Sequence, residues 1–130
     1  MNWFIMTTLK RHDRDRKMKK SLNITFPFAE AVGYIADVND KSFANYGDFD
    51  KTGIKKLACL RYITVNRRGN GDGNRMLEAF IAKCREAGAD AIILCCDASE
   101  KQVKGFVLSE WYYKYGFDQV GKTPVMIKKL

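Results

Sequence analysis

Apolar and polar residues change period several times along the chain, and each change marks an element. Residues 2–9 mix Trp3, Phe4 and Ile5 with Thr7 and Thr8, which predicts a first strand. Leu22, Ile24, Phe26 and Phe28 then alternate with Asn23, Thr25 and Pro27. That period of two predicts a second strand, with Pro27 at its end or on a sheet edge. Residues 31–38 fit either a partner strand, favoured by Gly33 and Tyr34-Ile35, or a short helix. Residues 39–56 are polar, hold Gly47 and Gly53, and read as a long loop or an irregular hairpin.

The second half is more regular. Residues 57–65 predict a strand. Residues 74–87 predict a helix, because Met76, Leu77, Phe80, Ile81 and Cys84 share one face, and Gly88 supplies its stop. Residues 91–96 are continuously apolar, as in a central strand covered on both faces. Ser99 and Gln102 have capping-box spacing for a further helix that buries Val103, Phe106, Val107, Trp111 and Tyr115. Short strands at residues 117–120 and 125–128 finish the chain. The order predicts a mixed α/β sheet with helices packed against it.

Composition narrows the class. With 130 residues, 46% of them hydrophobic and only 2 prolines, the chain is expected to fold as one domain around one core. The longest apolar run, residues 91–96, falls far short of the roughly 20 residues a membrane span needs. No basic residue precedes the apolar residues 1–9, so a signal peptide is not expected and a cytoplasmic location is. The formal charge of +8 favours an anionic partner: nucleic acid, an acidic protein surface or a phosphorylated cofactor. Residues 10–20 carry seven basic and two acidic side chains, as either a solvated connector or a nucleic-acid patch would.

The four cysteines, Cys59, Cys84, Cys95 and Cys96, form no C-x-x-C, and the sole histidine, His12, is remote, so no metal site is expected. Cys95 and Cys96 fall within the apolar run and are expected to act as small core residues. Asp48 to Gly53 opens like a calcium loop, but Cys59 stands where the chelating glutamate belongs, so a turn is expected.

The chemistry concentrates between the strand at 57–65 and the helix after it. Arg67-Arg68-Gly69-Asn70-Gly71-Asp72-Gly73 has three alternate glycines, which permit positive φ and let successive N–H groups converge on an anion. The helix that follows adds unpaired N–H groups and the positive end of its dipole, and Arg68 a fork of donors. A pyrophosphate cradle and a flexible glycine-rich turn both fit this pattern. A P-loop would end in Gly-Lys-Ser/Thr, whereas Asn74 and Arg75 follow Gly73; a Rossmann site retains Asp97 as its candidate acid.

Arg68-Gly69-Asn70-Gly71-Asp72-Gly73 resembles the R/Q-x-x-G-x-G/A acetyl-CoA loop of the GCN5-related N-acetyltransferase (GNAT) family. Trp111-Tyr112-Tyr113-Lys114-Tyr115-Gly116-Phe117 resembles that family's second signature, an aromatic-Tyr-x-x-x-Gly-Phe segment. The resemblance covers roughly residues 57–130. It implies an α/β (α+β) fold: a mixed, mostly antiparallel sheet with a splayed central strand pair and helices on both faces.

It also implies an acetyl-CoA-dependent transfer of an acetyl group to a primary amine, with no metal. The N–H groups of Arg68, Gly69, Asn70, Gly71, Asp72, Gly73 and Asn74 would hold the pyrophosphate. The pantetheine arm would run along Ile63, Thr64 and Val65. Tyr112 would protonate the departing thiolate, a step suited to a phenol of reference pKa about 10. The competing role for Tyr112 is that of a core aromatic.

Several positions depart from the family pattern. Asp72 replaces an apolar residue, Gly105 stands where an asparagine is frequent, only two residues separate Val65 from Arg68, and the strand at 57–65 has no acid to serve as base. A module on the same fold that lost turnover and binds nucleic acid or an acidic protein is the alternative. A third reading is a toxin of this fold that acetylates charged tRNA. The acceptor is left open, a protein or other macromolecule being one candidate, and so is the oligomeric state.

Overall fold

The computed structural model describes residues 19–67, 69–96 and 107–130. The strand expected at residues 2–9, the basic residues 10–18, Arg68, Asp97, Ser99, Gln102, Val103, Gly105 and Phe106 lie outside them. Among the described residues, no helix is long and apolar enough to cross a membrane.

Strands β1 (Lys20–Phe26) and β2 (Ala29–Asp37) form an antiparallel hairpin turning at Pro27, which settles residues 31–37 as strand, with Val38 in the turn that follows. A 3-10 helix, Lys41–Tyr46, follows, held at its start by the Asp40 carboxylate, which accepts the Ser42 N–H at 2.9 Å. The expected loop at 39–56 thus contains one short helical turn. Within it the Asp50 carboxylate accepts the Thr52 N–H at 2.9 Å, a local turn as expected.

Strand β3 (Lys56–Val65) leads through a glycine-rich loop into helix α1 (Asp72–Glu86), and β4 (Ala91–Cys95) comes next. Helix α2 (Leu108–Lys114) and strands β5 (Asp118–Gln119) and β6 (Val125–Lys129) complete the chain. The sheet order is β1-β2-β3-β4-β6-β5, antiparallel throughout except for the parallel pair β3–β4.

Alternation along β3 divides the core. Ala58 and Leu60 face one cluster with Met76, Leu77, Phe80 and Ile81 of α1 and with Tyr112 of α2. Leu57 and Cys59 face another, with Phe43 of the 3-10 helix, Ile93 and Val125. Helical segments therefore flank both faces of the sheet, as the resemblance implied. Each fully buried aliphatic or aromatic side chain contributes about 1.5–3 kcal/mol, so the apolar stripe of α1 anchors that helix far more firmly than backbone propensity does. Helix α1 stops where Gly88 adopts φ 87° and the Ala89 N–H reaches back to the Cys84 carbonyl.

Three expectations need correction. Helix α1 begins at Asp72 rather than Asn74, with Gly71 as its N-terminal cap. Val107 is half-exposed in extended backbone just before α2, because the described helix starts one residue later. Cys95 is exposed, because β4 ends there; Cys96 is buried as expected.

Candidate active site

The parallel pairing of β3 and β4 runs from Leu57↔Ala91 to Leu60↔Leu94 and stops there. Beyond Leu60, β3 continues to Val65 and, among the described residues, pairs with β2 on one edge only, Ile63 opposite Ala31 and Val65 opposite Ala29. The two central strands thus part, and the backbone edge of Ile63, Thr64 and Val65 that β4 would otherwise cover is left to other partners.

A bulge sits at the point of separation. Val32 pairs with Tyr62 and Gly33 with Leu60, so Arg61 is an extra residue with no register partner in β2 or β4. A bulge re-aims the backbone and side chain of its extra residue. Sequence reasoning missed it, since nothing in the apolar pattern of residues 57–65 marks one added residue.

The glycine-rich loop starts beside this opening. Gly69 (φ 75°) and Gly71 (φ 73°) adopt the left-handed conformation, whereas Gly73 lies in the first turn of α1 with ordinary φ. Two of the three glycines thus use the freedom expected of all three. Among the described residues no side chain caps α1, so the N–H groups of Asp72, Gly73 and Asn74 carry the positive end of the helix toward the loop.

Asp72, the charge that departs from the family pattern, is accounted for by its neighbours. Its carboxylate accepts Arg67 Nε at 2.7 Å and Arg75 Nη2 at 2.5 Å, and it is nearly buried. Arg75 Nη2 also donates to the Asn70 carbonyl at 2.8 Å, and the Arg67 guanidinium stacks 3.9 Å from the centre of the Phe28 ring. Asp72 therefore holds two arginines against the loop, and the trio keeps a net positive charge.

The hydrogen bond from Arg67, then that from Arg75, lowers the Asp72 pKa below the ordinary carboxylate value. A depressed folded pKa means the pairing is complete above the unfolded value of about 3.9 and is lost as pH falls through the folded one. Titration of the Asp72 carboxyl carbon by NMR is expected to show a midpoint below that of a model aspartate. A midpoint at or above it would contradict the pairing.

The two sequence signatures meet in space. Trp111 Nε1 donates to Asn74 Oδ1 at 2.7 Å, joining α2 to the first turn of α1. Tyr112, next on α2, is buried, with ring centroids 5.0 Å from Trp111 and 5.6 Å from Phe117. It belongs to the same cluster as Leu60 and Leu94, the last pair before the strands separate.

On the opposite face a cleft of about 630 Å³ reaches the same opening. Its floor is Tyr34, Arg61 and Cys95, and Tyr46 of the 3-10 helix stands at one side. Tyr34 donates to Ser42 Oγ at 3.1 Å, and Tyr46 Oη lies 3.0 Å from Cys59 Sγ. Burial pushes the Tyr34 hydroxyl up to about 12, and raises Tyr46 and the Cys59 thiol as well, so all three stay protonated near neutrality. No cleft residue was singled out from sequence as functional, because they come from six separate segments. Among the described residues no group of His, Cys, Asp or Glu side chains could hold a metal ion.

No protein-family model matches the chain, and no curated protein sequence does. Solved structures match its architecture. A putative acetyltransferase from Agrobacterium tumefaciens aligns over 100% of both chains with 13% identity and a TM-score of 0.54. A Drosophila melanogaster polyamine N-acetyltransferase aligns over 79% of this chain and 69% of its own, with 12% identity and a TM-score of 0.54. A chain of the NatC complex, solved with Gag peptide and CoA, aligns over 80% of this chain and 62% of its own, with 17% identity and a TM-score of 0.53. This chain thus spans less than two thirds of the NatC chain. The fold is that of the GCN5-related N-acetyltransferases.

Proposed function

We propose that the protein is an acetyl-CoA-dependent N-acetyltransferase that acetylates a primary amine by direct attack. The observation that carries this reading is the parting of β3 and β4, with an uncapped, glycine-led helix on one face and a cleft on the other. A donor held by the N–H groups of residues 69–74 and by the free edge of Ile63, Thr64 and Val65 would present its thioester at the opening. An acceptor in the cleft would meet it there. The named activities of the Drosophila and Agrobacterium proteins support the same reading.

In this scheme the amine lone pair forms the new C–N bond as the C–S bond breaks. Tyr112 protonates the departing sulfur, and the proton lost by the amine passes to solvent, from which the phenolate recovers its own. No carboxylate or histidine stands among the described cleft residues, so the amine gives its proton to water or arrives neutral. Positioning, and stabilisation of the developing oxyanion by the strand backbone near Ile63 to Val65, would supply most of the acceleration. The binding-module alternative loses one of its two supports, because Asp72 is neutralised by Arg67 and Arg75.

Titration calorimetry with acetyl-CoA tests the reading. The wild type is expected to bind. Gly71→Glu is expected not to, since it forces a side chain into left-handed backbone, 3.3 Å from Arg75, and puts a carboxylate at the mouth of the cradle. Arg68→Ala, a milder change, is expected to weaken binding without loss of fold. A folded wild type that binds no acetyl-CoA would overturn the proposal.

A further inference from the structure

The cleft also limits what the acceptor is, and this step rests on the proposed acetyl transfer. Two basic side chains line it, Lys19 and Arg61, and no Asp or Glu does among the described residues. Lys19, an exposed residue, places Nζ 4.6 Å from the centre of the Tyr34 ring, a contact that draws its charge toward the cleft. Asp40, a neighbour of Lys19, directs its carboxylate to the Ser42 N–H at the start of the 3-10 helix. The remaining polar groups are neutral: the hydroxyls of Tyr34, Tyr46, Ser42 and Thr123 and the amide of Asn45. Arg61 stands at the bulge, beside the gap through which the thioester would be reached.

A polyamine would bring two or more positive charges into this cleft and find no carboxylate among its described lining residues to pair with. An apolar amine would strip water from Arg61 without replacing it, at a cost. An amine that carries its own anion resolves both problems: the anion pairs with Arg61 and Lys19, and the amine is directed to the opening. We infer that the cleft selects small acceptors bearing a carboxylate or phosphate a few bonds from the reacting amine. The volume suits a small molecule.

Two measurements on the intact chain test this. In the first, L-glutamate, O-phosphoethanolamine and spermidine are each added without acetyl-CoA while the amide and side-chain NMR signals of Arg61 and Tyr34 are followed. Shifts with glutamate or phosphoethanolamine and none with spermidine support the inference, and the two anionic probes distinguish carboxylate from phosphate. Shifts with spermidine alone, or with no probe, overturn it. The second compares kcat/KM for the same amines in the wild type, Arg61→Gln and Arg61→Glu.

Losing a charge-assisted hydrogen bond corresponds to a rise in KM of roughly ten- to a hundredfold for the anionic amine. Arg61→Glu is expected to invert the preference toward spermidine, with acetyl-CoA affinity retained in both variants. Spermidine preferred by the wild type, or anionic amines unaffected by both changes, would overturn the inference. If acetyl-CoA fails to bind while the anionic probes still shift Arg61, acetyl transfer falls and the anion-selective cleft stands.

Discussion

Tyr112→Phe is expected to lower kcat by roughly a hundredfold or more while leaving acetyl-CoA affinity and thermal stability close to wild type. General acid catalysis by a positioned side chain typically contributes 10² to 10⁴ in rate, and the substitution removes the phenolic hydroxyl while keeping the ring. The ring is what packs: it sits 5.6 Å from Phe117 and 5.0 Å from Trp111 within a cluster that also holds Leu60 and Leu94. Phenylalanine keeps those contacts. A rate drop at unchanged stability would assign Tyr112 to the chemistry. An unchanged rate with a lowered melting temperature would assign it to the core instead, which is the role its burial alone allows. Tyr113, on the exposed side of the same helix, is the control, since Tyr113→Phe removes a hydroxyl from solvent.

The loop–helix unit was legible because its signals are local. Glycines at 69 and 71 take positive φ, Gly88 ends the helix, and Met76, Leu77, Phe80, Ile81 and Cys84 turn inward at helical spacing. The aromatic run at residues 111–115 is local too, but Tyr112 was singled out within it only through the family resemblance. The helix start was misplaced by two residues because Asp72 and Gly73 resemble loop residues, and only the Arg67 and Arg75 contacts make Asp72 a good first residue.

What escaped was non-local. Asp72 reads as a repulsive charge beside an anion site until Arg67, five residues away along a turn, is seen to fold back onto it. The cleft draws Lys19, Tyr34, Tyr46, Arg61 and Cys95 from segments that no period links. Cys95 and Cys96 are adjacent in one apolar run, and only the end of β4 exposes the first and buries the second.

Gly33→Ala is expected to destabilise the protein by about 3 kcal/mol and to lower its melting temperature by roughly 10 °C. A Cβ at this position would lie 2.3 Å from the Cys59 carbonyl oxygen and 2.6 Å from Phe80 Cζ. The Phe80 ring, carried by α1, is fully buried and has nowhere to swing, and the carbonyl is backbone in the central strand. Gly33 therefore serves a close approach of strand, strand and helix rather than a turn. Gly53→Ala separates this from a backbone effect: Gly53 has φ 77° and no atom near its missing Cβ, so the change there costs only about 1–2 kcal/mol of left-handed strain. Phe80→Leu added to Gly33→Ala relieves the ring contact but not the carbonyl, so stability is expected to return only in part. Because Gly33 pairs with Leu60 next to the bulge, β2 pushed away from β3 would also move Arg61. Activity in Gly33→Ala at a temperature where it remains folded is therefore expected to fall with it, and full activity there would mean that the bulge does not depend on this close packing.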